Sequence, residues 1–251
     1  MRLLEFTDLS RRFGGLNAID QVSGYVDQGE LVGLIGPNGA GKTTLFNLIT
    51  GFVPVSSGSV RFAGREITDQ APHSIARLGL SRTFQNLRIF PNMTVFDNVS
   101  VGATGVIGQG LLESIFARGA RSRRISELSW QALERVGLQH LADELAANLS
   151  YGQRKYLEIA RALAMQPQLL ILDEPAAGLN DTETAELAAC IRRLHEEGLS
   201  LMLVEHDMNL VMSICQRIIV LASGKKIADG PPSAIRTDAA VLESYLGTDW
   251  Q

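Results

Sequence analysis

The chain carries the octapeptide Gly36-Pro37-Asn38-Gly39-Ala40-Gly41-Lys42-Thr43, which fits the pattern GxxxxGK[ST] of phosphate-binding loops. It follows the apolar run Leu31–Ile35, which predicts a buried parallel strand, and it precedes a helix that we predict to begin near Lys42. Glycines let backbone N–H groups close around phosphates, and the helix N-terminus adds a partial positive charge. The pattern therefore predicts that Lys42 contacts the β and γ phosphates of a nucleotide, that Thr43 ligates Mg²⁺ and that Thr44 lies beside the phosphates.

Two acidic residues follow a second apolar run. Residues 169–172 predict a buried strand, and Asp173 and Glu174 stand at its carboxyl end, where ligands bind in open α/β sheets. Because side chains alternate along a strand, the two acids cannot share one role. We predict that Asp173 holds Mg²⁺ through water and that Glu174 orients and deprotonates an attacking water. Two exposed acids at a strand end would be the alternative, which is improbable beside a phosphate loop.

Two further polar residues are expected at the same edge of the sheet. His206 follows the apolar run 199–204, so it could donate a hydrogen bond to a γ-phosphate or to its attacking water. Taken by itself it is more simply a surface histidine. Gln85 follows a strand end at 82–84 and could reach Mg²⁺ or the water, although a lone glutamine carries almost no signal.

A second helix start is suited to phosphate. In Leu149-Ser150-Tyr151-Gly152-Gln153, Ser150 is a good N-cap for the helical pattern that begins at Tyr151, and Gly152 permits close approach of another molecule's phosphates. A single nucleoside triphosphate needs only one helix N-terminus at its γ-phosphate. The second helix start is therefore predicted to serve a nucleotide held by another copy of the chain or by a partner subunit.

The rest of the pattern predicts an α/β fold in three zones. Period-2 alternation over 3–26 and 59–62 predicts short antiparallel strands, and the spacing over 92–165 predicts a separate helical lobe. The glycine-rich stretch 103–110 is the best candidate for a mobile or irregular connection. After Pro167, strands alternate with helices, which predicts a parallel sheet with crossover helices.

Composition limits the classes of function. The formal net charge of −4 over 251 residues provides no global positive field, so nucleic acid is a poor first guess. The local basic cluster of Arg118, Arg121, Arg123 and Arg124 is more often a solvated helix face than a binding site. The beginning of the chain does not have a signal-peptide pattern, and no apolar run approaches the roughly 18 residues of a membrane span, so we expect membrane association only through a partner.

The chain closely resembles the ATP-binding subunits of ABC transporters over essentially its whole length. The phosphate loop, Gln85, the LSYGQ segment, the strand with its two acids and His206 occur in that family's order and spacing. The resemblance implies a single ABC ATPase domain over 1–251. Its RecA-like core, with a parallel sheet and an antiparallel β subdomain, would comprise 1–84 and 166–251, and its helical subdomain 85–165. It implies ATP and Mg²⁺ as cofactors, at the cytoplasmic face of the inner membrane.

The resemblance also implies roles for individual residues and partners. Phe13 would stack on adenine, although a plain core position is its alternative, and Gln85 would link the nucleotide to the membrane subunit. Ser150, Tyr151, Gly152 and Gln153 would complete the ATP site of an opposing subunit. That subunit would be an identical chain or a sister ATPase, and the pair would work with transmembrane permeases and, indirectly, with a solute-binding protein.

Four short stretches of sequence resemble the branched-chain amino acid importer branch of the family. The matching stretches are 82–85, 90–95, 173–180 and 246–247. Two departures from the broad family stand out. Tyr151 replaces a glycine and is expected to add bulk near the opposing phosphate, and Ala177 and Asn180 replace serine and aspartate, which makes coupling between the two sites less certain.

The resemblance leaves other functions to weigh. An export ATPase, such as one that moves lipopolysaccharide, is excluded by no residue. Soluble ABC ATPases of translation usually fuse two units, whereas this chain has one phosphate loop, and those of DNA repair carry a long heptad insertion that is absent here. A phosphate-loop kinase or GTPase would leave LSYGQ and His206 unexplained.

Overall fold

The fold was analysed in a computed structural model that describes residues 1–84, 87–107 and 118–246. Within these ranges the chain forms two sheets and a set of surrounding helices. The helices are α1 (Lys42–Ile49), α2 (Pro72–Arg77), α3 (Val95–Val106), α4 (Arg118–Val136), α5 (Tyr151–Leu163), α6 (Asp181–Glu196), α7 (Met208–Ile214), α8 (Pro232–Ile235) and α9 (Ala239–Leu246).

The first sheet is antiparallel. Its strands are β1 (Arg2–Phe13), β2 (Leu16–Asp27), β4 (Ser57–Phe62) and β5 (Arg65–Glu66), in the order β2-β1-β4-β5. The hairpin between β1 and β2 turns at Gly14, whose φ of 58° lies in the left-handed region that glycine adopts without strain. Strands β1 and β2, with 12 residues each, are longer than the short strands that the alternation predicts, but their antiparallel direction and their turn agree with it.

The second sheet carries the parallel strands that the sequence predicts. They are β3 (Leu31–Ile35), β6 (Leu80–Arg82), β7 (Leu169–Asp173), β8 (Ser200–Val204) and β9 (Arg217–Ala222), with β10 (Lys225–Gly230) antiparallel at the edge. The order is β10-β9-β3-β8-β7-β6. Every residue of β3, β7 and β8 is buried, which explains why their sequences are continuous apolar runs rather than alternating ones.

Both faces of this sheet are covered. Alternate residues of one strand enter different apolar clusters, because side chains along a strand point to opposite faces. Leu34 belongs to the cluster that includes Phe46 of α1 and the antiparallel sheet, whereas Ile35 belongs to the cluster that includes α5, α6 and α7. The carboxyl ends of β3, β7 and β8 therefore open on a single edge between the two layers.

The glycine-rich stretch 103–110 is not an irregular connection where the structure describes it. The prediction is wrong for its first residues, because α3 continues to Val106, whereas residues 108–110 lie outside the described residues. The neighbouring Gly102 has a packing role, since a Cβ there would lie 2.1 Å from the carbonyl oxygen of Arg161 on α5. Glycine in α3 thus permits the close approach of two helices.

A buried amide organises the segment that leads into α3. Asn98 is fully buried, and its Oδ1 accepts a hydrogen bond of 2.8 Å from the N–H of Phe90. Its Nδ2 donates to the carbonyl oxygens of Phe90 at 3.0 Å and of Thr94 at 2.9 Å. One side chain therefore satisfies several backbone groups of a segment that has no regular secondary structure.

We predict that Asn98→Asp lowers the free energy of unfolding by about 3 kcal/mol or more, because it removes both donors and places a charge among carbonyl oxygens. Urea denaturation of the nucleotide-free protein measures this change. The control is Asn92→Asp, the same substitution at an exposed site, for which we expect a change within about 0.5 kcal/mol. Equal effects of the two substitutions would contradict the assignment.

Candidate nucleotide site

The phosphate loop joins the end of β3 to the start of α1, as the sequence predicts. Its backbone is packed against neighbouring chain, which is why small residues are needed there. A Cβ on Gly36 would lie 2.2 Å from the carbonyl oxygen of Leu221 in β9, and one on Gly41 would lie 2.7 Å from that of Ala18 in β2. Gly41 also has a φ of 101° at the N-cap of α1. Substituting either glycine would displace the loop.

A cleft of about 650 Å³ lies over this loop. It brings together residues from the phosphate loop, from the β1–β2 hairpin, from the end of β7 and from the β9–β10 turn. The lining residues are Phe13, Leu16, Asn17, Ala18, Asn38, Gly39, Ala40, Gly41, Lys42, Thr43, Thr44, Glu174, Ser223 and Gly224. Phe13 is 46% exposed, so the core alternative for this ring is wrong. The Arg11 guanidinium lies over the ring, 4.7 Å from its centre.

Lys42 supplies the positive charge of the cleft. Its side chain is largely buried, and Nζ donates to the carbonyl oxygens of Gly36 at 2.6 Å and of Pro37 at 3.2 Å. Burial lowers the pKa of Lys42 below its ordinary value, whereas the nearby carboxylates of Glu174, Asp173 and Glu205 oppose that shift. These bonds hold the ammonium group at the centre of the loop, where phosphate oxygens would approach.

Asp173 and Glu174 have different environments, as the alternation along β7 predicts. Asp173 is buried, and its Oδ2 lies 2.7 Å from the Arg82 guanidinium. Glu174 lines the cleft with a φ of 48°, and its N–H donates to the carbonyl of Val204 at 2.9 Å. The backbone therefore turns sharply between the two acids and directs them to different places.

His206 lies beside Glu174 at the edge of the sheet. Its Nδ1 is 4.0 Å from Glu174 Oε2, and the imidazole is 58% exposed, although His206 is not among the residues that line the cleft. The structure therefore brings the predicted acid and the predicted histidine together. Gln85, the other residue expected at this edge, lies outside the described residues.

Sequence reasoning missed two charged residues that support the site. Arg82 pairs with Asp173, and it also donates to Asn47 Oδ1 of α1 at 2.7 Å. Glu205 is almost fully buried, and its Oε1 accepts from the N–H of Ala176 at 2.8 Å, which fixes the loop after Glu174. Burial raises the pKa of Glu205. The only available signal was their position at strand ends next to the predicted site.

The donors around the loop fit a metal ion that is bound together with a nucleotide. In the described residues, no cluster of three or more His, Cys, Asp or Glu side chains could hold a metal ion. The exposed Thr43 provides one hydroxyl in the cleft. Asp173 at the end of β7 provides one carboxylate, which is buried and paired with Arg82. Mg²⁺ commonly takes one or two protein oxygens and completes its shell with phosphate oxygens and water, so this set suits it.

The second predicted phosphate-binding helix start is formed as expected but lies apart from this cleft. Ser150 N-caps α5 in a capping box: its hydroxyl accepts from the N–H of Gln153, and the Gln153 side chain accepts from the N–H of Ser150. None of residues 150–153 is among the residues that line the cleft. Ser150 is exposed, so this end of the helix faces outward.

Several other side chains have simple environments. Cys190 and Cys215 are buried thiols. Arg123 and Arg124 are exposed on α4, where Arg124 pairs with Glu127 on the same helix, as expected of a solvated face. Asn180 N-caps α6 in a capping box with Glu183, so the amide at this position has a local structural role.

The fold and the cleft define a phosphate-loop nucleotide-binding protein. A family model described as "ABC transporter" matches residues 19–177, and a second, described as "Branched-chain amino acid ATP-binding cassette transporter", matches residues 225–250. The chain therefore belongs to the ABC transporter family of ATP-hydrolysing subunits, which confirms the predicted ABC ATPase fold. No helix in the described ranges combines the length and apolarity needed to cross a membrane.

Similar proteins cover the whole chain. The high-affinity branched-chain amino acid transport ATP-binding protein BraF of Pseudomonas aeruginosa is 44% identical over 249 residues, which are 98% of each chain. The lipopolysaccharide export system ATP-binding protein LptB of Escherichia coli K12 is 33% identical over 251 residues, which are all of each chain. The crystal structure of the ADP conformation of MJ1267, an ATP-binding cassette of an ABC transporter, has a TM-score of 0.86 and 32% identity and covers 98% of this chain and 99% of its own.

We predict that Arg82→Met lowers the free energy of unfolding by about 3–5 kcal/mol, because it leaves the buried Asp173 carboxylate without its counter-ion. Denaturation in urea without nucleotide measures the change. The matched control is Arg124→Met, which breaks an exposed ion pair and should change the free energy by less than about 1 kcal/mol. A similarly small change for Arg82→Met would mean that the buried pair is dispensable.

Proposed function

We propose that this chain is the ATP-hydrolysing subunit of an ABC importer for branched-chain amino acids or a related small polar solute. The observation that carries the proposal is the 44% identity to BraF, which extends over nearly the whole chain. The match of 225–250 to the branched-chain amino acid family model supports the same assignment in the part of the chain that follows the nucleotide site.

We propose the following roles in the cleft. Phe13 stacks on the adenine of ATP, and the loop amides and Lys42 hold its phosphates. Thr43 and Asp173, with Gln85, would hold Mg²⁺, which would supply positive charge to neutralise the phosphates. Glu174 takes the proton of the attacking water, and His206, at 4.0 Å from it, donates a hydrogen bond towards the γ-phosphate side.

The exposed start of α5 supports a paired mechanism. Ser150, Tyr151, Gly152 and Gln153 stand apart from their own chain's cleft, and a helix N-terminus stabilises negative charge. We propose that the start of α5, with Ser150 at its N-cap, completes the ATP site of an opposing subunit, which is a second copy of the chain or a sister ATPase. ATP then closes the pair because each γ-phosphate contacts both subunits.

A surface beside the cleft suits a permease. An apolar groove of about 250 Å³ lies between α2, β6 and Phe84 and is lined by the exposed ring of Phe52. The ring of Phe90 is also exposed. Phe90 belongs to the segment 87–98 that Asn98 holds. We propose that permease subunits dock here, at the cytoplasmic face of the membrane, with a solute-binding protein acting through them and no nucleic acid involved.

The proposed division of the chain follows from these surfaces. The core with its β subdomain comprises 1–84 and 166–251 and holds the cleft, whereas the helical subdomain 85–165 carries the start of α5 and the permease segment. Closure of the pair would then move the helical part against the core. An exporter of the lipopolysaccharide type is the second candidate, favoured by the full-length 33% identity to LptB.

We predict that Glu174→Gln keeps ATP binding and slows hydrolysis by about 10²–10⁴-fold, since a general base is worth that much. Lys42→Ala, in contrast, should lose nucleotide binding, because it removes the charge that faces the phosphates. Nucleotide affinity by calorimetry and steady-state phosphate release measure the two effects separately. Normal hydrolysis by the Glu174→Gln variant would assign the base to another group.

We predict that a cysteine at Arg88 or Asn92 crosslinks to a permease subunit in the assembled transporter. The background should be low, because the native Cys190 and Cys215 are buried. A cysteine at Glu196, which is exposed at the end of α6 and far from the segment in sequence, is the control that should not crosslink. Consistent failure at both test positions in an active complex would remove the docking proposal.

A further inference from the structure

Tyr151 points back onto its own chain. Its hydroxyl donates to the carbonyl oxygen of Ala177 at 3.3 Å, and a Cβ on Gly178 would lie 2.9 Å from Tyr151 Cε1. Gly178 has a φ of 81°, a conformation that glycine adopts without strain. The ring therefore packs directly on the loop that follows Glu174. Its bulk is directed at this loop, which differs from the expectation that it would crowd an opposing phosphate.

Lys155 stands one helical turn further along α5 and extends the same contact. Its side chain is buried, its Nζ lies 5.6 Å from the centre of the Tyr151 ring, and Nζ donates to the carbonyl oxygen of Glu174 at 3.3 Å. A cation at this distance from a tyrosine face is attracted to it, and residues four apart on a helix share one face. Tyr151 and Lys155 thus form one unit that contacts the loop at Glu174 and at Ala177 and Gly178.

The backbone of Glu174 is held by hydrogen bonds at both its N–H and its carbonyl oxygen. Its φ of 48° is unusual for a residue with a side chain. The N–H of Glu174 bonds to Val204, and its carbonyl oxygen accepts from Lys155 and, at 3.2 Å, from the N–H of Ala177. The hydrogen bond to Lys155 is therefore a direct link from α5 to the peptide that aims the Glu174 carboxylate.

We propose that Tyr151 and Lys155 are positioning residues that couple the start of α5 to the orientation of Glu174 in the same chain. The inference rests on the proposed role of Glu174 as the base. When the helical part moves as the pair closes, α5 carries this contact with it, and the Glu174 peptide follows. Tyr151 thus replaces a contact with the opposing nucleotide by a contact within its own subunit.

The proposal separates two functions of neighbouring residues. Ser150 is exposed and faces away from its own cleft, whereas Tyr151 and Lys155 contact the loop that begins at Glu174. Gly152 is buried, and a Cβ there would lie 3.1 Å from Glu183 Oε1 of α6, so it packs against its own chain rather than facing outward. Loss of the contact that Tyr151 and Lys155 make should lower the rate of the chemical step and leave nucleotide affinity nearly unchanged, because a misplaced catalytic group costs rate rather than binding.

The test uses full-length Tyr151→Ala and Lys155→Met, each alone and combined with Glu174→Gln. We expect each single variant to lower kcat by about 10–10²-fold, with the ADP dissociation constant within about threefold of wild type. In the Glu174→Gln background the same substitutions should change kcat by less than about twofold, because their effect passes through Glu174. Tyr151→Phe, which keeps the ring on Gly178, should restore most of the rate.

Two controls define the result. Leu145→Ala truncates another exposed apolar side chain close to the start of α5 and should leave kcat unchanged. ATP-induced pairing of the Glu174→Gln protein, measured by size-exclusion chromatography, should survive Tyr151→Ala. Loss of pairing, or a full additional loss of kcat in the Glu174→Gln background, would overturn the inference and indicate a contact with the opposing nucleotide.

Failure of the proposed function would look different. The proposed function would be contradicted if the wild-type protein did not hydrolyse ATP in the assembled transporter, or if Glu174→Gln hydrolysed ATP at an unchanged rate. An active wild type with an impaired Glu174→Gln variant, but with Tyr151→Ala and Lys155→Met at the wild-type rate, would overturn only the coupling inferred here.

Discussion

The site depends on the meeting of three buried strand ends at one edge of the sheet. Strands β3, β7 and β8 are parallel and adjacent, so the phosphate loop, the acids after β7 and His206 after β8 must emerge side by side. Hydrogen bonds between strands fix this register, and apolar layers on both faces prevent any strand from slipping, because a slip by one residue would turn its side chains to the other face. The apolar strands β3, β7 and β8 thus position the polar residues of the site.

Charge is buried beneath this edge in a way that ties the catalytic elements together. Arg82 from β6 contacts Asp173 from β7 and Asn47 from α1, and the three belong to separate parts of the sequence. Such a pair is costly to bury and more costly to break, so it favours one relative position of its elements. The ion pair thereby holds the end of β6, which precedes Gln85, beside Asp173, the predicted Mg²⁺ ligand.

The sequence predicted what depends on local pattern. The phosphate loop, the buried strands and the Ser150 cap are encoded in runs of adjacent residues, and their positions agree with the structure to within one or two residues. Arg82, Lys155 and Glu205 were missed because their partners lie 91, 19 and 29 positions away, and no local pattern identifies such pairs. The prediction for 103–106 was wrong for a similar reason. Glycine in this part of the chain allows α3 to approach α5, as at Gly102, and α5 is distant in sequence.

Tyr151, Gly178 and Asn180 act together on the loop that follows Glu174. A tyrosine at position 151 needs a partner without a side chain, and Gly178 provides it at the point where the loop after Glu174 turns back towards α6. Asn180 then caps that helix with Glu183, so the loop is fixed at both ends, by α5 and by its own following helix. Substituting a small residue for Tyr151 would free one end only. The departure at Tyr151 is therefore matched by the backbone it contacts, which is the arrangement expected of a contact that transmits movement of α5 to the catalytic loop.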